Sequence, residues 1–181
     1  MAAPPTDMVA GGFTWTSAYV GVGANLEAPA EKVDEAIAQL EALDGVRVFA
    51  TSAKYRTTPV GPEGQPDYCN AVVAVVTTLD ASGLLATLQS VEQTMGRVRD
   101  GTRWGPRVID LDLLHVPGVA MQTDVLTLPH PRILERAFVL IPWADVAAQL
   151  VLHDGRTVAW HAASIDGTGV DDWRVATDGN T

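Results

Sequence analysis

Cysteine is nearly absent from this 181-residue sequence, and no long apolar run occurs near its start. The single cysteine, Cys69, excludes an intramolecular disulfide. It lies in the apolar segment Tyr-Cys-Asn-Ala-Val-Val, which is typical of a buried small side chain rather than a nucleophile. The N-terminus has neither a basic segment nor an apolar stretch of signal-peptide or membrane length. We therefore expect a cytoplasmic enzyme or binding protein with no membrane partner.

Basic residues are also few. There are 12 Lys and Arg against 22 Asp and Glu, which gives a formal net charge of -10. This balance argues against nucleic-acid binding, because the overall charge would not attract a phosphate backbone. Four of the twelve basic residues nevertheless fall within eleven positions, at Arg97, Arg99, Arg103 and Arg107. Such a local cluster indicates a small anionic ligand.

Two acids follow this arginine cluster directly. From Val108 onward apolar and acidic residues alternate, which predicts a half-buried strand with Asp110 and Asp112 on one face. Side chains two apart on a strand lie roughly 7 Å from each other, so both carboxylates can converge on one or two Mg²⁺ ions. The glycines and proline of 101–106 favour a mobile loop for the arginine segment.

The order of predicted elements favours a ferredoxin-like fold of the α+β class. A short strand at 19–22 leads into a Gly-rich turn that lacks the Lys of a Walker A loop. An amphipathic helix (29–43), strands (46–55 and 70–79) and a second helix (81–95, capped by Asp80) follow, before the strand that carries the two acids. Two βαβ-like halves predict an antiparallel four-stranded sheet with both helices on one face and the other face free for loops. Extra strands and short helices are expected beyond residue 116.

The length predicts one domain, with a flexible leader (1–16), a catalytic core (17–163) and a loosely held tail (164–181). The Pro- and Gly-dense segment 56–66 predicts a long functional loop.

Six motifs of the sequence resemble those of one family. They are Tyr19-Val-Gly-Val-Gly-Ala-Asn-Leu26, Tyr55-Arg-Thr-Thr-Pro-Val-Gly-Pro62, Gln65-Pro-Asp-Tyr-Cys-Asn-Ala71, Gly96-Arg-Val-Arg99, Arg103-Trp-Gly-Pro-Arg-Val-Ile-Asp-Leu-Asp112 and Leu126-Thr-Leu-Pro-His130. The chain resembles 6-hydroxymethyl-7,8-dihydropterin pyrophosphokinase of the folate pathway, from about Ala18 to Val151. The resemblance implies transfer of pyrophosphate from ATP to the pterin hydroxymethyl group, with AMP released, two Mg²⁺ ions and a monomer that binds ATP first.

The resemblance also implies residue roles. Asp110 and Asp112 would hold both metal ions, and Arg97 and Arg107 would act with them in catalysis. Residues of the nucleotide side would be Glu92, Arg97, Arg99, Arg103, Arg107, Leu113, Thr127, His130 and Arg136. Residues of the pterin side would be Thr57, Pro59, Val60, Tyr68, Asn70, Trp104, Asp110 and Phe138. Arg103 and Trp104 would lie on a loop that closes over both substrates.

Three positions depart from the family pattern. Pro131 stands where many relatives carry Tyr, Asp100 where a basic residue is frequent, and Thr58 where Pro is common. These changes predict altered ATP affinity and a less rigid pterin loop. The remaining histidines, His115, His153 and His161, match no motif and are interpreted as structural.

Two other functions fit parts of the sequence. An ordinary γ-phosphoryl kinase would release ADP instead of AMP. A ferredoxin-like module that senses or binds nucleotide without turnover fits the arginines and acids, but gives no reason for Tyr68 and Asn70 beside the Pro/Gly loop. An RNA-recognition version is opposed by the acidic charge.

Overall fold

A computed structural model of the chain describes residues 8–10, 12–59, 64–97 and 105–174. The strands are β1 (Met8–Ala10), β2 (Phe13–Ala24), β3 (Val46–Thr51), β4 (Tyr55–Thr57), β5 (Tyr68–Thr77), β6 (Asp110–His115), β7 (Met121–Gln122), β8 (Thr127–Leu128) and β9 (Val170–Asp172). The helices are α1 (Pro29–Glu41), α2 (Ala81–Thr94), a 3₁₀ helix (Ile133–Glu135), α3 (Ala137–Ala147) and α4 (Val158–Ser164).

Strands β2 and β5 form the centre of the main sheet. They pair antiparallel from Thr16 opposite Thr77 to Ala24 opposite Cys69. Strands β1 and β6 pair with the outer side of β2, while β3 and β4 pair with the outer side of β5. The central order β3-β5-β2-β6, with α1 between β2 and β3 and α2 between β5 and β6, confirms the predicted ferredoxin-like arrangement.

Hydrophobic residues are buried on both faces of this sheet. One cluster joins α1 and α2 to alternate residues of β2 and β5, including Val20, Leu40, Val73 and Leu88. The other joins α3 and α4 to the opposite face, where Trp143 is completely buried. The short helices expected beyond residue 116 are confirmed. Because α3 and α4 pack on this second face, it is not left free for loops as the sequence suggested.

The strand predicted at 46–55 is divided in two. Ser52 leaves the extended run between β3 and β4, and its hydroxyl accepts a hydrogen bond from the Val72 N–H at 2.9 Å. This bond satisfies a buried donor of β5 at the break. Strand β4 is therefore a separate three-residue strand that pairs with the first residues of β5.

Helices α1 and α2 begin where the sequence predicts and end within two residues of the predicted positions. The Asp80 carboxylate accepts from the Gly83 N–H at 2.7 Å and caps α2. Gly96, just past the end of α2, has φ +88, which favours glycine at this position. Helix α2 therefore stops where Arg97 can turn toward β6.

The glycines of β2 differ from their predicted role. Gly21 and Gly23 lie within the paired part of β2, opposite Val72 and Asn70, and not in a turn after a short strand. At Gly23, an added Cβ would lie 2.5 Å from the Asn70 Oδ1. Glycine therefore allows a side chain of the neighbouring strand to cross β2 closely.

Both terminal segments contribute strands. Residues 8–10 and the first part of β2 form an antiparallel pair within the predicted leader 1–16. Strand β9, within the segment expected to be a loosely held tail, pairs with β4. No helix in the described ranges has the length and apolar character needed to cross a membrane.

Candidate active site

A cavity of about 580 Å³ opens where the end of β2 and the beginnings of β5 and β6 meet the start of α3. Its volume is within the range of pockets that enclose small-molecule ligands. The residues that the sequence assigned to a site and that line this cavity are Thr57, Tyr68, Asn70, Glu92, Arg97, Arg107, Asp110, Asp112, Leu113, Thr127, His130, Arg136 and Phe138.

Some predicted residues are not placed in the cavity. Pro59 is described but does not line it. Val60, Arg99, Arg103 and Trp104 lie outside the described residues, so the predicted closing loop does too. Of the three departures from the family pattern, Thr58 and Pro131 line the cavity, whereas Asp100 lies outside the described residues.

Strand β6 presents the two acids as its alternation predicts. Leu111 and Leu113 are buried on one face, while Asp110 and Asp112 are partly exposed to the cavity on the other. Asp110 accepts hydrogen bonds from Arg97, at 2.5 Å, and from Arg107. Both of its carboxylate oxygens are therefore engaged by guanidinium groups.

Asp112 lies in a different environment. Its cationic partner among the described residues is Arg136, 3.5 Å away, and 41% of its side-chain surface is exposed within the cavity. Desolvation, with a further contribution from the Asp110 carboxylate, raises the pKa of Asp112 to about 6. Two carboxylates that repel each other on one strand face favour a cation between them.

Glu92 is the most buried charged residue among those described in the site. Glu92 lies at the edge of the apolar face of α2, where acids are usually exposed, yet only 2% of its surface is exposed. Its carboxylate accepts from the Arg97 guanidinium and, at 2.7 Å, from the Leu111 N–H. The Arg97 backbone N–H also donates to the Glu92 carbonyl at 2.9 Å. Glu92 therefore connects the end of α2 to β6 and fixes Arg97 between two acids.

His130 adds a neutral donor to the cationic side of the cavity. Its Nδ1 accepts a hydrogen bond from the Arg132 N–H at 3.2 Å. Burial and the nearby arginines lower the pKa of His130 to about 4, so the ring is neutral at physiological pH. A neutral ring that accepts at Nδ1 carries its proton on Nε2, where it can donate to an anionic oxygen.

The opposite side of the cavity carries aromatic and amide groups. The Asn70 Nδ2 donates to the Thr57 Oγ1 at 2.6 Å, and Asn70 is only 8% exposed. The Tyr68 hydroxyl donates to the Gly105 carbonyl at 3.1 Å, which fixes the ring beside the segment that leads to β6. Across the cavity, the Arg136 guanidinium lies 5.6 Å from the centre of the Phe138 ring. A planar ligand with polar edges would find stacking faces and a fixed amide here.

Sequence reasoning missed several residues of the site. Gln89, Leu85 and the segment 123–126 also line the cavity. Asn25, which is 1% exposed, does not line the cavity, but its side chain makes hydrogen bonds to the backbone of Pro66 and Arg107 beside it. A buried Asn leaves no periodic pattern in the sequence. The signal that could have indicated this region is Gly23, because a glycine inside a strand often marks a place where another group approaches the backbone closely.

The three unassigned histidines are separate from the cavity lining. His115 packs in an aromatic cluster with Tyr19 and Trp143. His161 lies 3.1 Å from the Asp154 carboxylate, and His153 is exposed.

Comparison with known proteins relates this site to a family. Residues 19–148 match the model of 7,8-dihydro-6-hydroxymethylpterin-pyrophosphokinase (HPPK). The chain is 44% identical over 156 residues to the 2-amino-4-hydroxy-6-hydroxymethyldihydropteridine pyrophosphokinase of Methylorubrum extorquens, covering 86% of this chain and 98% of that one. It is also 44% identical over 138 residues to the protein of the same name from Pseudomonas aeruginosa, covering 76% and 85% of the two chains.

A solved structure shares the fold. The crystal structure of Plasmodium falciparum HPPK-DHPS with pteroate superposes with a TM-score of 0.65 at 13% identity, over 86% of this chain and 43% of that chain. The family match spans most of the chain and contains both acids of β6 and the cationic residues around them. The chain belongs to the 7,8-dihydro-6-hydroxymethylpterin-pyrophosphokinase family.

Proposed function

We propose that the chain transfers the pyrophosphoryl group of ATP to the hydroxymethyl oxygen of 6-hydroxymethyl-7,8-dihydropterin, with release of AMP, in folate biosynthesis. The observation that carries this proposal is the division of one cavity into two chemically different sides. The acids of β6 and the Asn70 amide of β5 lie on opposite sides of β2, with arginines beside the acids and the Tyr68 ring near the amide. This arrangement suits a polyanionic donor and a planar acceptor bound side by side.

The triphosphate would bind to the guanidinium groups of Arg97, Arg107 and Arg136, with a further bond from His130. Guanidinium forks suit paired phosphate oxygens, because each can donate two parallel hydrogen bonds. Arg97 and Arg107 now contact Asp110. They would exchange part of this contact for phosphate when the nucleotide binds, which neutralises charge on the transferred group.

The donor set of the cavity fits Mg²⁺. Among the described residues, no three His, Cys, Asp or Glu side chains group closely enough to hold a metal ion by themselves. Asp110 and Asp112 would therefore supply one or two carboxylates, with water and phosphate oxygens completing the shell, as Mg²⁺ prefers. When bound, the ions would neutralise charge that develops during displacement at phosphorus. We propose two such ions, both of which Asp110 and Asp112 would hold.

The pterin would bind on the side of Asn70. The amide offers a donor and an acceptor to a ring with adjacent N–H and carbonyl groups, and its bond to Thr57 fixes its orientation. Tyr68 and Phe138 would contact the ring faces. The chemistry needs the hydroxymethyl oxygen aligned with the transferred phosphorus, so positioning by these groups supplies much of the catalysis.

The protein works, in this proposal, as a cytoplasmic monomer. Apart from Pro59, the described residues assigned to both substrates belong to one chain and line one cavity. Light scattering during gel filtration would test this, since a dimer would give twice the monomer mass.

Analysis of reaction products tests the activity. Purified protein with ATP and Mg²⁺ should form AMP only when the hydroxymethyl-pterin is also present. Formation of ADP would indicate an ordinary kinase, and nucleotide binding without turnover would indicate a sensor.

Asp112→Asn should lower the rate by about a hundredfold or more, because metal binding supplies several kcal/mol of charge stabilisation. Asp44→Asn, at an exposed acid away from the cavity, is the matched control. Near-normal turnover in Asp112→Asn would refute the metal assignment.

A further inference from the structure

Strand β9 lies outside the residues that match the family model, which end at 148. It pairs antiparallel with β4, with Val170 opposite Thr57 and Asp172 opposite Tyr55. Among the described strands, β9 covers the outer edge of β4, since β5 occupies its inner edge. The C-terminal segment thus completes the sheet beside the cavity.

Hydrogen bonds extend this pairing beyond both ends of β4. The Thr58 N–H donates to the Gly169 carbonyl at 3.2 Å. The Trp173 N–H donates to the Lys54 carbonyl at 2.9 Å. The contact therefore includes Thr58, which lines the cavity, as well as the start of the strand.

The contact between β4 and the segment around β9 is also closely packed. Gly169 has φ +77, and an added Cβ would lie 2.8 Å from the Thr58 Oγ1. The Arg56 guanidinium lies 5.2 Å from the centre of the Trp173 ring. Such close packing leaves β4 little freedom to move away from β5.

Strand β4 in turn controls the amide of the cavity. The Thr57 Oγ1 accepts the Asn70 Nδ2 hydrogen bond at 2.6 Å, and Thr57 is only 3% exposed. A shift of Thr57 would therefore break or redirect the bond that orients Asn70. The pairing between β4 and β5 has three residue pairs, so β9 supplies a large share of the backbone contacts of β4.

We propose that β9 is a positioning strand for the planar acceptor: it holds Thr57 and Thr58 in place and, through the Thr57 hydroxyl, fixes the Asn70 amide. This inference rests on the proposed function, because it assigns the acceptor to the side of the cavity lined by Asn70. The described backbone pairing of β9 is with β4 and not with β6, which carries the acids. Loss of this pairing should therefore raise the KM for the pterin and leave the KM for ATP nearly unchanged.

The substitution Asp171→Pro tests the backbone pairing. Asp171 lies opposite Arg56 at the centre of the β4–β9 pair, its side chain is exposed, and proline removes the backbone N–H. Asp171→Ala is the matched control, because it removes the same side chain and keeps the N–H. We expect Asp171→Pro to raise the KM for the pterin about tenfold relative to Asp171→Ala, while the KM for ATP changes less than about twofold.

Amide hydrogen exchange without substrates gives an independent measurement. The Thr58 amide should exchange faster in Asp171→Pro than in Asp171→Ala, because its acceptor Gly169 is released. If Asp171→Pro is too unstable to purify, Gly169→Val compared with Gly155→Val gives the same test. Both glycines have positive φ, but an added Cβ meets nothing within 4 Å at Gly155.

The outcomes separate the two proposals. Equal pterin KM values and equal Thr58 exchange in the proline and alanine variants would overturn the positioning role. An equal rise in the KM for ATP and for pterin would also overturn it, because that indicates general loosening. If the wild-type protein formed no AMP from pterin and ATP, the proposed function would fail, while the exchange data would still test whether β9 holds β4.

Discussion

Asn25 and Arg107 are joined by two hydrogen bonds across 82 residues of sequence. The Asn25 N–H donates to the Arg107 carbonyl at 3.0 Å, and the Arg107 N–H donates to the Asn25 Oδ1 at 2.7 Å. The Asn25 Nδ2 also donates to the Pro66 carbonyl at 3.1 Å. One buried amide at the end of β2 therefore holds the segment that leads into β5 and the segment that leads into β6. These segments lead into the strands that carry Asn70, on the proposed pterin side of the cavity, and the two acids.

Replacing Asn25 should loosen both sides of the cavity together. Asn25→Ala removes the side-chain partner of the partly buried Arg107 N–H and of the carbonyl of the exposed Pro66. The loss of each hydrogen bond costs about 0.5–1.5 kcal/mol. We expect a lower melting temperature and a rise in KM for both ATP and pterin, measured by thermal unfolding and steady-state kinetics. Gln93→Ala removes an exposed amide from α2 and, as the control, should leave both constants unchanged. A variant Asn25→Ala with wild-type constants would refute the linking role.

The sequence predicts the elements that its periodicity describes. Helices α1 and α2 and the acid strand β6 follow from apolar residues that repeat at helical or strand spacing. The placement of Asp110 and Asp112 on one face is a direct consequence of the two-residue period of a strand. These features depend on residues that are close together in the sequence, so the sequence alone predicts them.

Other features depend on contacts between distant segments. Glu92 is buried because β6 and Arg97 fold against the end of α2, and its position on the helix alone predicts exposure. Asn25 acquires its role from partners 41 and 82 residues away. Strand β9 is too short and too polar to give an alternating signal, and forms where β4 offers an edge.

Glu92→Gln should weaken the nucleotide side of the cavity selectively. Glutamine retains the volume and an oxygen for the Leu111 N–H but removes the charge that pairs with Arg97. Arg97 keeps its contact with Asp110, so the loss of the charged hydrogen bond should cost about 1.5–3 kcal/mol. We expect lower stability by denaturant unfolding and a higher Kd for ATP by calorimetry. The Kd for pterin should change little. Glu135→Gln, which removes the acid of an exposed ion pair with Arg132, is the control and should leave stability nearly unchanged.

Gly23→Ala should impair the pterin side through Asn70. The added Cβ would lie 2.5 Å from the Asn70 Oδ1, so the amide must move or rotate. We expect the KM for pterin to rise about tenfold. Gly21→Ala on the same strand is a matched control, because its Cβ would meet Leu114 at an ordinary 3.4 Å. Equal KM values for pterin in these two variants would show that the position of Asn70 is unimportant for binding.

His115 should make the stability of the protein depend on pH. It is 8% exposed and packs 6.3 Å from the Tyr19 ring and 6.0 Å from the Trp143 ring, between centroids. Burial lowers the pKa of His115 to about 4, whereas the unfolded chain should have an ordinary value near 6.5. The unfolded state therefore binds the proton first as the pH falls. The contribution of His115 to the free energy of unfolding should be nearly constant above about pH 6.5. Below that pH it should decrease by about 1.4 kcal/mol per pH unit, down to about pH 4.

Comparison with His115→Phe isolates this contribution. His130, whose pKa is also lowered to about 4, and Asp112, whose pKa is raised to about 6, titrate in both proteins and cancel in the difference. Urea unfolding at several pH values should show that the variant loses about 2.5 kcal/mol less than the wild type between about pH 6.5 and pH 4. His153→Phe, at an exposed histidine, should leave the slope close to that of the wild type. If His115→Phe retained the full slope, the protonation of another buried group would have to account for it, and the neutral aromatic packing of His115 would not be the cause of acid sensitivity.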